Sequence, residues 1–186
     1  MKLLRKVKTI EVKRCYVISD RTKRQKLAAA KKKVLTLSES QLDKILLRKN
    51  HNKRRDVYNR MEWYAGTVKT SEVGVWKKAG GLPLAWTRGS LQETGEYVRN
   101  ALRKNPIQLT ERSRRAIPGI LKHSLKIIQT EKYLLPIILP SGTIKICRSG
   151  LRKMKGEIDD GCMRSVALAV SGKKQIKAYI GRSKKK

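Results

Sequence analysis

Acidic residues are scarce in this chain: 14 Asp+Glu stand against 46 Lys+Arg among 186 residues, a formal charge of +32. Such a balance calls for a polyanionic partner, with nucleic acid, DNA or RNA, as the first candidate. Histidine is nearly absent, with only His51 and His123, and no pair of Cys or His stands at ligand spacing, so no metal site of that kind is expected. The three cysteines, Cys15, Cys147 and Cys162, are odd in number and far apart, which points to a reducing compartment rather than a disulfide framework. No apolar run nears the ~20 residues of a membrane span. The basic start "MKLLRKVKTIEVKR" lacks the apolar centre of a signal peptide. The expectation is a soluble cytoplasmic (nucleoid-associated) or nuclear protein with no membrane partner.

What is present is unevenly spread. Residues 1–60 carry a net charge of +15, residues 61–100 of +1, and residues 101–186 of +16. Charge thus sets a near-neutral middle between two basic ends. The chain is read as a basic helical arm (1–60), a Trp/Gly-rich connecting segment and helix (61–104), a domain (105–182) whose bounds follow from the family resemblance given below, and a basic tail (183–186). In the arm, "VKTIEVKRCYVIS" (7–19) is rich in β-branched residues and reads as a strand. "RTKRQKLAAAKKK" (21–33) forms a helix without a broad apolar face, expected to become ordered only against a partner. Ser38 with Gln41 makes a capping box ahead of Leu42, Ile45 and Leu46. The turn "LTLS" before it invites a helix-turn-helix reading, although any two adjacent basic helices share that look. Of the middle segment's aromatics, Trp63, Tyr64, Trp76 and Trp86, core packing is the plainer use and base stacking the sharper one.

Ser90 with Glu93 forms a second capping box, followed by Val98, Ala101 and Leu102 on one helical face. "NPIQLT" (105–110) reads as a short strand. Ile117, Ile120, Leu121, Ser124, Leu125 and Ile128 then fall at helical spacing, with Pro118 tolerable only near the first turn. "YLLPIILPSGTIKI" gives two β-rich runs around a Pro-Ser-Gly turn, and a basic excursion, "CRSGLRKMKG", leads to "EIDDGCMRSVALAVSG" (157–172) and a last strand, "QIKAYI". The tail "RSKKK" is expected to be disordered.

This order, with "LLPIILPSG" (134–142), "EIDDGCMRSVALAVSG" and "KQIKAYI" (174–180), resembles the ParB/sulfiredoxin-like family over residues ~105–180. The resemblance implies an α+β fold, a small mixed sheet with short helices, here preceded by the basic, largely helical extension. It also implies a box that opens a helix and binds the phosphates of a nucleotide, ATP or CTP with Mg2+. In this chain the matching positions are Asp160, Gly161, Cys162 and Arg164. Glycine allows close backbone approach, a helix start attracts anions, and Arg164 would donate a bidentate fork to phosphate. Asp159 and Asp160 could instead hold a metal bridging phosphates, or Asp160 could cap the helix and pair with Arg164. "GCMR" keeps the Gly, Cys and Arg of the sulfiredoxin box but has Met163 for its histidine. Beside Arg164, Cys162 is expected to have a lowered pKa and is the one candidate nucleophile.

Three function classes stay open: a nucleic-acid-binding protein, DNA favoured, with a ParB-like phosphate-binding domain; a ribosome-associated or RNA-packaging protein; and a sulfiredoxin-like, nuclease or nucleoside triphosphatase enzyme. Binding is favoured over catalysis, and a homodimer is left open. The expected phosphate contacts are Arg21, Lys23, Arg24, Lys31, Lys32, Lys33, Lys53, Arg54 and Arg55 in the arm, with Arg114 and Arg115 facing the same cleft as Arg164.

Overall fold

The computed structural model describes residues 1–104, 111–130 and 134–184. A strand, β1 (Lys2–Val7), leads into four helices, α1 (Thr9–Arg21), α2 (Leu27–Leu35), α3 (Glu39–Leu46) and α4 (Arg54–Asn59). Then come β2 (Met61–Lys69), the short β3 (Val73–Gly74), α5 (Leu91–Lys104) and α6 (Glu111–Thr130). The chain ends with β4 (Ile137–Pro140), the hairpin β5 (Ile144–Cys147) and β6 (Gly150–Lys153), β7 (Gly156–Asp160), α7 (Cys162–Val170) and β8 (Gln175–Ser183). The fold is α+β. Six strands form one mixed sheet in the order β1-β2-β8-β4-β7-β3, and β5-β6 stands apart.

The side-chain alternation of the strands builds two cores. Trp63, Ile137 and Tyr179 face one way, into a cluster with Val12, Tyr16, Ala30, Val34, Leu42 and Leu46 from α1, α2 and α3. Their neighbours Ile138 and Ile180 face the other way, among Leu91, Val98, Leu121 and Val166 from α5, α6 and α7. The expected divisions at 60/61 and 104/105 are therefore not divisions of the core. The segment read as an arm supplies the edge strand β1, paired with β2, and most of one core.

Several local expectations change. Residues 9–21 are a helix, not a strand: Val12, Cys15, Tyr16 and Ser19 recur at helical spacing, and Val17 and Ile18 are covered as well. Packing on both sides of α1 overrides the β-branched propensity. Helix α2 needs no outside partner, because Ala30 and Val34 pack it against the core. Both capping boxes form: the Ser38 amide donates to Gln41 Oε1 at 2.9 Å, and the Ser90 amide to Glu93 Oε2 at 2.9 Å. Helix α6 runs through Pro118 well past its first turn, which removes one helical bond. Arg182 and Ser183 belong to β8 rather than to a disordered tail. The strand expected at 105–110 lies outside the described residues. Among the described residues no helix is long and apolar enough to cross a membrane.

Candidate functional site

The cleft at the start of α7 gathers residues from the whole chain. Strand β7 pairs with β4 up to Asp160 and with β3 only at Gly156 and Glu157, and it ends in Asp159 and Asp160, directly before α7. Around them stand Ser19 and Thr22 of α1, Arg54 of α4, Trp76 and Gly80 after β3, and His123 and Ser124 of α6, enclosing about 450 Å³.

Gly161, the residue before α7, has φ +78°, a left-handed conformation that favours glycine. A Cβ there would lie 2.7 Å from Arg164 Nη2 and 3.0 Å from the Pro136 Cα, because the Arg164 guanidinium folds back over the turn. No side chain caps α7, so the amides of Cys162, Met163 and Arg164 are left for water or an anion. Asp160 is thus not the cap. It accepts from Arg164 Nη2 at 2.8 Å, while Nη1 donates to Ser19 Oγ at 3.0 Å. The free arginine fork expected from the sequence is therefore already engaged. Arg164 Nε remains, buried and without a partner beside the uncapped amides. Gly161→Ala should cost about 2–3 kcal/mol from backbone strain and displacement of the guanidinium, read as a lowered urea midpoint; an unchanged midpoint would show that the turn is not held as described.

Asp159 points into a second, more buried network. Its Oδ2 accepts from Arg54 Nε at 2.8 Å and from the Tyr58 hydroxyl at 2.6 Å. Arg54 also donates to the His51 carbonyl at 2.9 Å and lies 4.7 Å over the Tyr16 ring. Only 9% of the Arg54 side chain is exposed, so it is not the solvated phosphate contact its sequence position suggested. Burial opposes its charge, and the Asp159 carboxylate more than offsets that, so its pKa is raised. Burial, reinforced by Asp159, likewise pushes the Tyr58 hydroxyl well above its ordinary range. Both aspartates are thus tied to arginines rather than presented together to a cation, and the described residues contain no cluster of three His, Cys, Asp or Glu fit for a metal ion.

Cys162 departs furthest from expectation. Burial raises its thiol to about 12; the Trp76 amide opposes the rise, and Asp160 and Glu157 add to it. The nearby Arg164 does not produce a thiolate at neutral pH. Met163 fills the space over Gly80. Trp63 and Trp86 are buried, Tyr64 is half-buried, and Trp76 is 44% exposed at the cleft.

Of the other basic positions, Arg24, Lys32, Lys33 and Lys53 are exposed, and Arg21 and Lys31 are half-buried. Lys23 pairs with Asp20 at 2.9 Å and Arg55 with Asp56 at 2.7 Å. Arg114 and Arg115 lie in the first turns of α6, with side chains outside the described part. Sequence reading missed Ser19, Tyr16, His51 and Tyr58. For Tyr58 a signal existed: it follows Arg54 by four residues, which places both on one helical face.

Burial holds the His51 imidazole below its ordinary 6.5. On acidification the unfolded chain takes up this proton first, so the contribution to stability is present above about pH 6.5 and lost as pH falls toward the lowered folded value. Urea midpoints should therefore drop between pH 7.5 and 5.5, and His51→Gln should flatten that drop. An equal drop in both proteins would assign it to other groups.

No protein-family model matches the chain, and neither a curated protein nor a solved structure matches it.

Proposed function

We propose that the protein binds nucleic acid, duplex DNA in preference to RNA, and that the cleft at the start of α7 binds a phosphate group of that polymer or of a nucleotide. The observation that carries the first part is how the charge is disposed between residues 21 and 60. Fourteen Lys and Arg stand there against three acids, Glu39, Asp43 and Asp56. Every one of those acids is already paired within the fold: Glu39 and Asp43 with Lys13 at 2.8 and 2.7 Å, Asp56 with Arg55. Apart from Lys23, which pairs with Asp20, the exposed lysines and arginines of this stretch are left to an outside anion.

The second part rests on the uncapped α7 amides and the unpartnered Arg164 Nε. The succession β4, β7, Asp-Asp-Gly, α7, Gly172, β8 supports reading this half of the sheet as ParB/sulfiredoxin-like. The donors fit the phosphates of ATP or CTP. The aspartates, each held by an arginine, do not fit the accompanying Mg2+. The raised Cys162 pKa favours binding over thiol chemistry, and the packing of α1–α4 on the sheet favours a self-sufficient domain over an extension that folds only on RNA.

Anisotropy with a labelled duplex of about 30 bp should give a Kd of roughly 10⁻⁶ M or tighter at physiological salt. Binding weaker than about 10⁻⁴ M to duplex DNA, single strands and RNA alike would overturn the proposal. Cys162→Ser should leave that affinity unchanged; its loss would make the thiol central. Adding ATP or CTP should alter DNA release, and Arg164→Ala should remove the response.

A further inference from the structure

Helix α3 has an outward face that the phosphate cleft does not use. Its two acids, Glu39 and Asp43, both pair with Lys13, which is fully buried; Glu39 stays 52% exposed at the side chain while doing so. Leu42 and Leu46 are buried on the core side. Exposed on the helix are Ser40, Gln41 and Lys44, continued past its end by Leu47 and Arg48, beside Glu39, whose charge Lys13 offsets. These positions follow helical spacing, so they form one face.

The setting of α3 adds to this. Helices α2 and α3 are joined by three residues, Thr36 to Ser38, and both pack on α1 through Ala30, Val34, Leu42 and Leu46. The turn is pinned, since Arg14 Nη2 of α1 donates to the Leu37 carbonyl at 3.2 Å. Lys32 and Lys33 stand exposed on α2, next to this turn.

Resting on the nucleic-acid reading above, we propose that α2 and α3 form a helix-turn-helix and that α3 enters the major groove of duplex DNA. The groove admits a helix, and helix-turn-helix proteins contact base edges near the start of the second helix, where Ser40 and Gln41 lie. Gln41 keeps Oε1 on the Ser38 amide, so its Nε2 is the donor left for a purine N7. Lys44, one turn on, suits guanine O6 and N7, and Leu47 suits a thymine methyl. Arg48, Lys32 and Lys33 hold phosphates and set the register.

The test is selection from a random duplex pool, followed by affinity measurements, with the full chain. The wild type should enrich a short motif containing guanine. Lys44→Ala should relax preference at one position by about 5- to 100-fold. Arg48→Ala and Lys33→Ala should weaken all sequences alike and each reduce the salt slope by about 1. Lys173→Ala with Lys174→Ala, away from α3, should leave the motif intact, and thermal midpoints should be unchanged throughout. Enrichment of no motif, a motif indifferent to Lys44→Ala, or tighter binding of single-stranded RNA than of duplex would overturn this inference while nucleic-acid binding stands. Failure to bind any polyanion would instead overturn the reading on which it rests.

Discussion

Asp159→Ala is expected to lower the unfolding free energy by about 3–5 kcal/mol, because it leaves a buried guanidinium without its counter-charge. Arg54 and Asp159 are 9% and 8% exposed at the side chain, and Tyr58 loses its acceptor in the same step. The cost comes from the group left behind more than from the bond removed. Replacing both partners, Arg54→Met with Asp159→Leu, should therefore recover much of the loss, since a well-packed apolar pair can match a buried ion pair. Urea unfolding of the wild type, Asp159→Ala and the double variant measures this. A loss below about 1 kcal/mol for Asp159→Ala would mean that water reaches Arg54 and that the network does not hold α4 on the sheet. Duplex affinity of the folded Arg54→Met, Asp159→Leu protein should stay near wild type, because Arg24, Lys32, Lys33 and Lys53 remain on the surface.

Local chemistry was legible in the sequence. Both capping boxes, a helix over α6, the β-rich runs of β4, β5 and β8, and a glycine turn opening a helix at Gly161 follow from short-range rules, and they appear where those rules place them. Within α6, however, Ile127 is buried and Ile120, expected on the packed face, is 38% exposed. The α+β class, expected from the resemblance, is the class observed. Residues 9–21 were misread because β-branched residues suit a strand when judged alone, whereas α1 is covered by α2, α3 and the sheet.

The site was legible only in part, for a related reason. Asp160, Gly161, Cys162 and Arg164 do line one cleft. Their chemistry was set by partners far away in sequence. Ser19 reaches Arg164 across 145 residues, and Arg54 reaches Asp159 across 105. Nothing local to "DDGCMR" shows that Asp159 is occupied, that Arg164 keeps only Nε unpartnered, or that burial raises the Cys162 thiol. Likewise a run of basic residues does not reveal which one turns inward; Arg54 does, while its neighbours Lys53 and Arg55 do not.

The central claim is that the unneutralised charge serves a nucleic acid, and the salt dependence of binding tests it most directly. Each phosphate neutralised releases condensed counterions, so the logarithm of the affinity falls linearly with the logarithm of salt concentration, by about 0.9 per contact on B-DNA. If about 8 of the exposed cations make such contacts, the slope is about −7, and affinity falls by roughly 10⁴ between 50 and 200 mM salt. On single strands the same contacts give a shallower slope, about −5 to −6. The measurement is a titration of labelled duplex across that salt range. The predicted result is a slope near −7; a slope near −2 would contradict the account, since only about two cations would then be meeting phosphates.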